Sequence, residues 1–487
     1  MKLTDQSEIG YVYQSQDFLI RLNGLPTVQI NDLVENESGG IGWVNTLMED
    51  YVEVLMLNEG QIIPGQLFKK LPYKLGVSAG KFLLGRAINP LGVPIDGRGL
   101  LTKTKDVTVV NLEQTAPGIE SRQFITKQFE TGITIIDSLL PLGKGQRELV
   151  LGDAHSGKTS FLVDLIVNQR GKNTVCIYAS IGKPIASVRD LIDVLKANQA
   201  LSYTVVIAAS STEPAPLIFL TPKTALALAE YFQKQGLDVL VILDDLGIHA
   251  KVHREISLLG GRAPGRESYP GDIFYQHARL MERAGNFRSE FGGASITAIP
   301  VMELNLTDFA SFIPTNLMAM TDGHLLFRSN LYNLGQRPAI DLSQSVTRVG
   351  RQTQDRISNL ISLRIRQILS QAEELQTISR FSAELPPQTQ LVLKQKKMID
   401  EILKQASLTF IPKHIQSILL GLVFTSFIKE KDEEYFTKEK SSLIKMISNS
   451  PQMQGIVQAQ MTSDNQFIQH LEQAIPSIIN QPGGNNP

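Results

Sequence analysis

Between residues 8 and 80, apolar and polar positions alternate in short runs, YVYQSQDFLIRL, IGWVNTL and YVEVLML, broken by Gly, Asn and Pro. A period of two marks strands with one buried face, and short strands parted by turn residues predict a small β-barrel over residues 1–80. GRAINPLGVPIDGRG, residues 85–99, is dense in Gly and Pro and reads as a connector. From about residue 100 to 345 the pattern changes to unbroken apolar runs, TVCIYASIG, YTVVIAAS, LDVLVILDD and ASITAIPVM, parted by segments with helical spacing. Strands covered on both faces lose their alternation, so this stretch predicts a parallel sheet flanked by helices. Beyond Gly350 the spacing is helical, as in ISNLISLRIRQILSQAEELQTISRF, QTQLVLKQKKMIDEILKQ and PKHIQSILLGLVFTSF. The expected fold class is α/β: an N-terminal β-barrel (1–80), a central α/β domain (81–350, with 81–100 as connector) and a C-terminal helical domain (351–480). QPGGNNP, residues 481–487, has nothing to pack and reads as a disordered tail.

Composition narrows the partners. A chain of 487 residues exceeds one compact core and suits about three domains. Lys plus Arg number 47 against 48 Asp plus Glu, a net charge of −1, which argues against a nucleic-acid partner. Even GGRAPGRESYPGD, residues 260–272, is too sparse in charge to be a phosphate footprint. The single cysteine, Cys176, lies inside the apolar run TVCIY and forms no disulfide within the chain, which fits a reducing compartment. The first ten residues lack the basic and apolar regions of an export signal, and SILLGLVFTSFI, residues 417–428, is shorter than the roughly 18 apolar residues of a spanning helix. The expectation is a cytoplasmic protein that meets a membrane only through a larger complex.

Candidate chemistry concentrates in GDAHSGKTS: Gly152, Asp153, Ala154, His155, Ser156, Gly157, Lys158, Thr159 and Ser160. A glycine-rich turn between strand and helix aims backbone N–H groups at a phosphate, and the helix N-terminus adds partial positive charge. RELVL before it and KTSFLVDLIVNQR after it supply the required strand and helix. Lys158 then reaches the terminal phosphates and Thr159 holds Mg²⁺ through its hydroxyl. Asp244, ending the apolar run LDVLVILDD with Asp245 beside it, is the candidate for the Mg²⁺ water shell; capping a following helix is its plainer role. His249 and His253 fall one helical turn apart with no third ligand evident in the nearby sequence.

With those blocks in view, GKGQRELVLGDAHSGKTS, STEPAPLIFLTP, VILDDL, GGRAPGRESYPGDIFYQHARLMERA, FIPTNLMAMTDGHLLF and GQRPAIDLSQSVTRVG together resemble the α subunit of F-type rotary ATPases and ATP synthases, from about residue 8 to about 430. The resemblance implies a β-barrel, a RecA-like P-loop domain and a helical domain, with three α alternating with three β subunits around a γ-type central stalk. It implies binding of ATP or ADP with Mg²⁺, with Asp244 on the metal side and Arg337, Pro338, Gln405 and Ser407 on the adenine side. It makes Arg348, in SVTRVG, the arginine presented to the neighbouring catalytic site. It places the complex on the cytoplasmic face of the cell membrane, held by a stator subunit and coupled to protons.

The family's catalytic β subunits carry a water-orienting glutamate after the strand that follows the phosphate-loop helix; by resemblance that position falls in CIYASIGKPIASVRD, on Lys183. A lysine ammonium has three donors and no acceptor, so the protein is expected to hold nucleotide without turning it over. Three departures stand out. Ala154, His155 and Ser156 replace the family's loop centre, with His155 expected to face solvent or the phosphates; Ser407 replaces a glutamine; and only about eight residues precede the barrel, where relatives carry a stator-docking helix. The last of these keeps open an F-type-like motor driving other machinery, such as gliding. A homohexameric helicase or export motor would need its own water-orienting carboxylate.

Overall fold

The computed structural model describes residues 8–101, 107–304, 309–379, 386–427, 433–458 and 463–476; the expected tail at 481–487 lies outside them. The protein divides into two compact units, one running up to Phe124 and resuming over Lys144–Leu326, the other made of Ile125–Gly143 and everything from Phe327 onward.

In the first unit, β1 (Ile9–Gln16), β2 (Leu19–Gly24), β3 (Asp32–Asn36), β4 (Ile41–Leu47), β5 (Val52–Met56) and β6 (Leu67–Lys74) close into a barrel in the order β1-β2-β5-β4-β3-β6. Neighbouring strands pair antiparallel around the barrel, and Ile20, Leu22, Val34, Val44, Val54 and Phe68 fill the interior without exposure. Closure leaves no sheet edge to pair with another molecule. β7 (Gly76–Ala79) and β9 (Thr108–Asn111) form a separate antiparallel pair.

The same unit holds the parallel sheet. β10 (Glu148–Asp153), β11 (Thr174–Lys183), β12 (Thr204–Ser210), β13 (Asp238–Asp244), β15 (Ser295–Leu304) and β16 (Gly323–Phe327) take the order β16-β10-β15-β13-β11-β12, continued by β8 (Ala87–Ile88). β14 (Gly285–Asn286) pairs antiparallel with β15. The segment expected as a plain connector thus contributes a strand, with Ala87 and Ile88 in parallel register with Val206 and Ile207. Two residues are too few to carry a period.

Around the sheet run α1 (Lys158–Val167), α2 (Ile185–Ala197), α3 (Ala215–Lys234), α4 (Leu246–Leu259), α5 (Ile273–Met281) and α6 (Phe312–Met320). β11 and β12 are buried almost throughout, and α3 is covered along nearly its whole length, which is why both read as apolar runs.

The second unit contains α7 (Ser329–Asn333), β17 (Val346–Thr347) and the helices α8 (Arg356–Ser379), α9 (Pro387–Leu403), α10 (Lys413–Leu422), α11 (Glu433–Asn449), α12 (Pro451–Gln458) and α13 (Asp464–Ala474). Ile361, Ile365, Met398, Ile402, Leu419 and Leu471 form its buried apolar interior. A turn at 131–137 is fixed by Asp137, whose carboxylate accepts from Thr131 N and Oγ1 and Gly132 N, each at 2.8 Å, and from Gln416 Nε2 at 3.0 Å. Burial pushes the Asp137 carboxyl above its usual range, and these donors oppose that shift. Among the described residues no helix is long and apolar enough to cross a membrane.

Candidate functional site

The glycine-rich segment Gly152–Gly157 joins β10 to α1. Gly157, at φ 89°, takes a left-handed conformation at the N-cap of α1, and no side chain caps that helix. The first-turn amides are therefore left to an external acceptor, with the helix dipole behind them. Ser156 Oγ donates to the carbonyl of Asp153 at 2.7 Å, and His155 also has positive φ, 57°. Ala154, His155, Thr159 and Ser160 are exposed along the loop.

Lys158 is buried, and its ammonium folds back onto the carbonyls of Gly152, at 2.8 Å, and Asp153. Burial lowers its pKa, opposed chiefly by Glu303, whose carboxylate stands 3.8 Å away. Glu303 and Gly152 are register partners on β15 and β10, which is what sets the acid beside the loop.

The carboxyl ends of four adjacent parallel strands meet here, the place where ligands bind in open α/β sheets. Asp244 ends β13 and Lys183 ends β11, with Ser180 and Asp244 in register between them. Asp244 is 4% exposed, and both of its oxygens are engaged: Lys183 Nζ lies 2.9 Å from Oδ1, and the Tyr178 hydroxyl donates to Oδ2 at 2.6 Å. Burial works against the Lys183 charge, but Asp244 outweighs it and the lysine pKa is raised. Burial and then Asp244 push the Tyr178 hydroxyl well above its ordinary value. The capping role considered for Asp244 falls instead on Asp245, which accepts from Ile248 N at the start of α4 and from Glu303 N, both at 2.8 Å.

Sequence reasoning missed Tyr178 and Glu303. A phenol inside a fully buried strand needs a polar partner, and that requirement was the available signal for Tyr178. It also found no third group beside the histidine pair. Both histidines lie buried on α4, where His249 Nδ1 is 3.2 Å from Nε2 of His277 on α5, and His253 Nε2 is 3.0 Å from Asp272.

In the second unit, Arg337 donates to the carbonyls of Tyr332 and of Gln336 (2.9 Å), and its guanidinium lies 3.3 Å from the centre of the Tyr332 ring. Gln405 N donates to the Arg337 carbonyl at 2.6 Å. The Gln405 amide is committed within the fold: its oxygen accepts from Thr134 N and Oγ1, each at 3.0 Å, and its nitrogen donates to Gly132 O at 2.7 Å and to Thr409 O. Pro338 is half-buried and Ser407 exposed.

Arg348 is exposed, and its guanidinium makes no hydrogen bond or ion pair among the described residues. The backbone around it is anchored: Thr347 Oγ1 donates to Pro141 O at 2.9 Å, and Thr353 Oγ1 to Gly350 O at 2.6 Å.

Comparison with known proteins decides the family. Residues 132–347 match the nucleotide-binding domain of the ATP synthase alpha/beta family, and residues 354–481 match the C-terminal domain of that same family. The protein belongs to the ATP synthase alpha/beta family. It is 38% identical over 459 residues to the ATP synthase subunit alpha of Metamycoplasma arthritidis (strain 158L3-1), covering 94% of this sequence and 86% of that one. The ATP synthase subunit alpha of Caldanaerobacter subterraneus subsp. tengcongensis is 41% identical over 427 residues, 88% of this sequence and 84% of its own. That of Mycoplasmoides gallisepticum is 37% identical over 478 residues, 98% and 91%. For a member of the ATP synthase alpha/beta family, the barrel, the central sheet domain and the helical domain are the architecture expected from the sequence blocks.

Proposed function

We propose that this protein is a non-catalytic, α-type subunit of an F-type rotary ATPase: it holds ATP or ADP at residues 152–160 and lends Arg348 to the catalytic site of a β-type neighbour. The loop amides and Lys158 meet the phosphates, and the Thr159 hydroxyl is the group that would hold Mg²⁺ accompanying them. Arg337, Pro338 and Ser407 border the base, with Gln405 supporting that segment through its bond to the Arg337 carbonyl. The assembly would include a γ-type central stalk and a stator subunit, sit on the cytoplasmic face of a membrane and couple nucleotide turnover to proton movement.

One observation carries the non-catalytic reading. At the end of β11, the position that the family resemblance gives to a water-orienting acid, Lys183 is ion-paired at 2.9 Å with its charge reinforced. An ammonium so held cannot accept a proton from water. The purified protein is expected to bind ATP with negligible hydrolysis in a coupled phosphate-release assay. Turnover by the protein alone at a motor's rate would overturn the reading, and Glu303, the carboxylate beside Lys158, would then be the base to test first.

A further inference from the structure

We infer that Lys183 stands in for the divalent cation's charge at Asp244, so that nucleotide held by the phosphate loop depends only weakly on Mg²⁺. The inference rests on the nucleotide reading above and concerns what that site requires of its ligand.

As the side chains stand, Asp244 does not fit the role of acceptor for a metal's water shell. Both carboxylate oxygens are engaged in a buried setting, one by the Lys183 ammonium at 2.9 Å and one by the Tyr178 hydroxyl at 2.6 Å. A cation brought to Asp244 would stand against the Lys183 ammonium, like charge beside like, and would compete for a carboxylate that a buried phenol also uses. The pairing is built into the sheet. Lys183 and Tyr178 lie on the same strand, β11, which runs in register beside β13.

Among the described residues, the two acids nearest Asp244 in the strand order are otherwise placed. Asp245 spends its two oxygens on Ile248 N and Glu303 N. Glu303 is half-exposed and faces Lys158 at 3.8 Å, on the far side of β13 from Lys183 in the strand order. What is left for phosphate charge is Lys158, the uncapped amides of α1 and the field of a second, tethered ammonium. A cation covalently attached to the site supplies charge that a diffusible one otherwise brings, and it cannot be removed by chelation.

The test is binding of ATP to the full-length protein, measured by titration calorimetry in excess EDTA and in excess Mg²⁺. For the unaltered protein, dissociation constants within threefold of each other are expected. K183Q, which keeps a polar side chain one atom shorter and loses the charge, should bind nearly as before in Mg²⁺ but at least tenfold more weakly in EDTA. A thermal melt checks that K183Q folds, and K183M serves if it does not. A tenfold or greater loss for the unaltered protein in EDTA overturns the inference while leaving the nucleotide reading intact, as does a K183Q ratio equal to the unaltered one. Absence of ATP binding under both conditions overturns the nucleotide reading, and this inference with it.

Discussion

At the scale of single residues, Gly350 shows how a backbone approach supports a side chain with no support of its own. A Cβ built on Gly350 would lie 1.5 Å from the carbonyl oxygen of Pro141, so no larger residue fits without moving the backbone. That contact and the Thr347 hydroxyl fix the segment that carries Arg348. Gly350→Ala is therefore expected to cost about 1–3 kcal/mol of stability through backbone displacement, seen as a lower urea midpoint with unchanged slope; an unchanged midpoint would show that the segment yields to the methyl freely. Thr347→Val, which loses only the bond to Pro141, should cost about 1 kcal/mol. Such residues were legible in the sequence as a block, SVTRVG, but their partner was not, because Pro141 lies far away in the sequence. Gln405 teaches the same lesson. Its position pointed to the adenine side, and in the fold its amide also bonds the turn at 132–134 and the Thr409 carbonyl. Lys183 could be located from sequence; that it pairs with Asp244 follows from strand adjacency, which no local pattern encodes.

At the scale of elements, whatever had a long period was readable and whatever was short was not. The buried parallel strands and the helical last third gave clear patterns, whereas the two-residue β8 gave none. The packing of α4 on α5 was equally hidden, although it has a consequence for pH. His249 and His277 are fully buried and 3.2 Å apart, and burial holds both pKa values down, that of His277 to about 3. A base whose folded pKa is depressed stays neutral in the native state while the unfolded state takes up a proton. Stability is therefore fully present above the ordinary histidine value and falls as pH drops below about 6.5. Each histidine held neutral should contribute a slope of about 1.4 kcal/mol per pH unit. The buried neighbour Lys223 opposes protonation of His249 further. Asp272, drawn down to about 2 by its bond to His253, loses its contribution only as pH falls below the usual carboxylate range and stays silent over the interval from pH 7 to 5. Urea midpoints measured across that interval should fall for the native protein and fall less steeply for His277→Gln; parallel curves would show that the pair does not govern acid sensitivity.

At the scale of the whole molecule, near-zero net charge and an unpaired arginine lead to one expectation about assembly. A protein with net charge −1 exerts little long-range pull on a partner, so association with a β-type subunit must rely on matched surfaces and should depend weakly on salt. Arg348, exposed and without an internal partner among the described residues, adds little to the stability of the isolated subunit. Arg348→Ala is expected to shift that stability by less than about 0.5 kcal/mol and to leave ATP binding by the subunit as it was. In the assembled complex the same change should lower hydrolysis by about 10³-fold or more, the scale of an arginine set against a transferring phosphoryl group. Arg348→Lys should not restore it, because an ammonium lacks the planar fork that meets two phosphoryl oxygens at once. The readout is steady-state hydrolysis by the reconstituted complex, with assembly checked by size exclusion. Full activity in intact Arg348→Ala complexes would mean that the arginine serves no neighbouring site. Activity lost together with assembly would instead make Arg348 a contact that holds the subunits together.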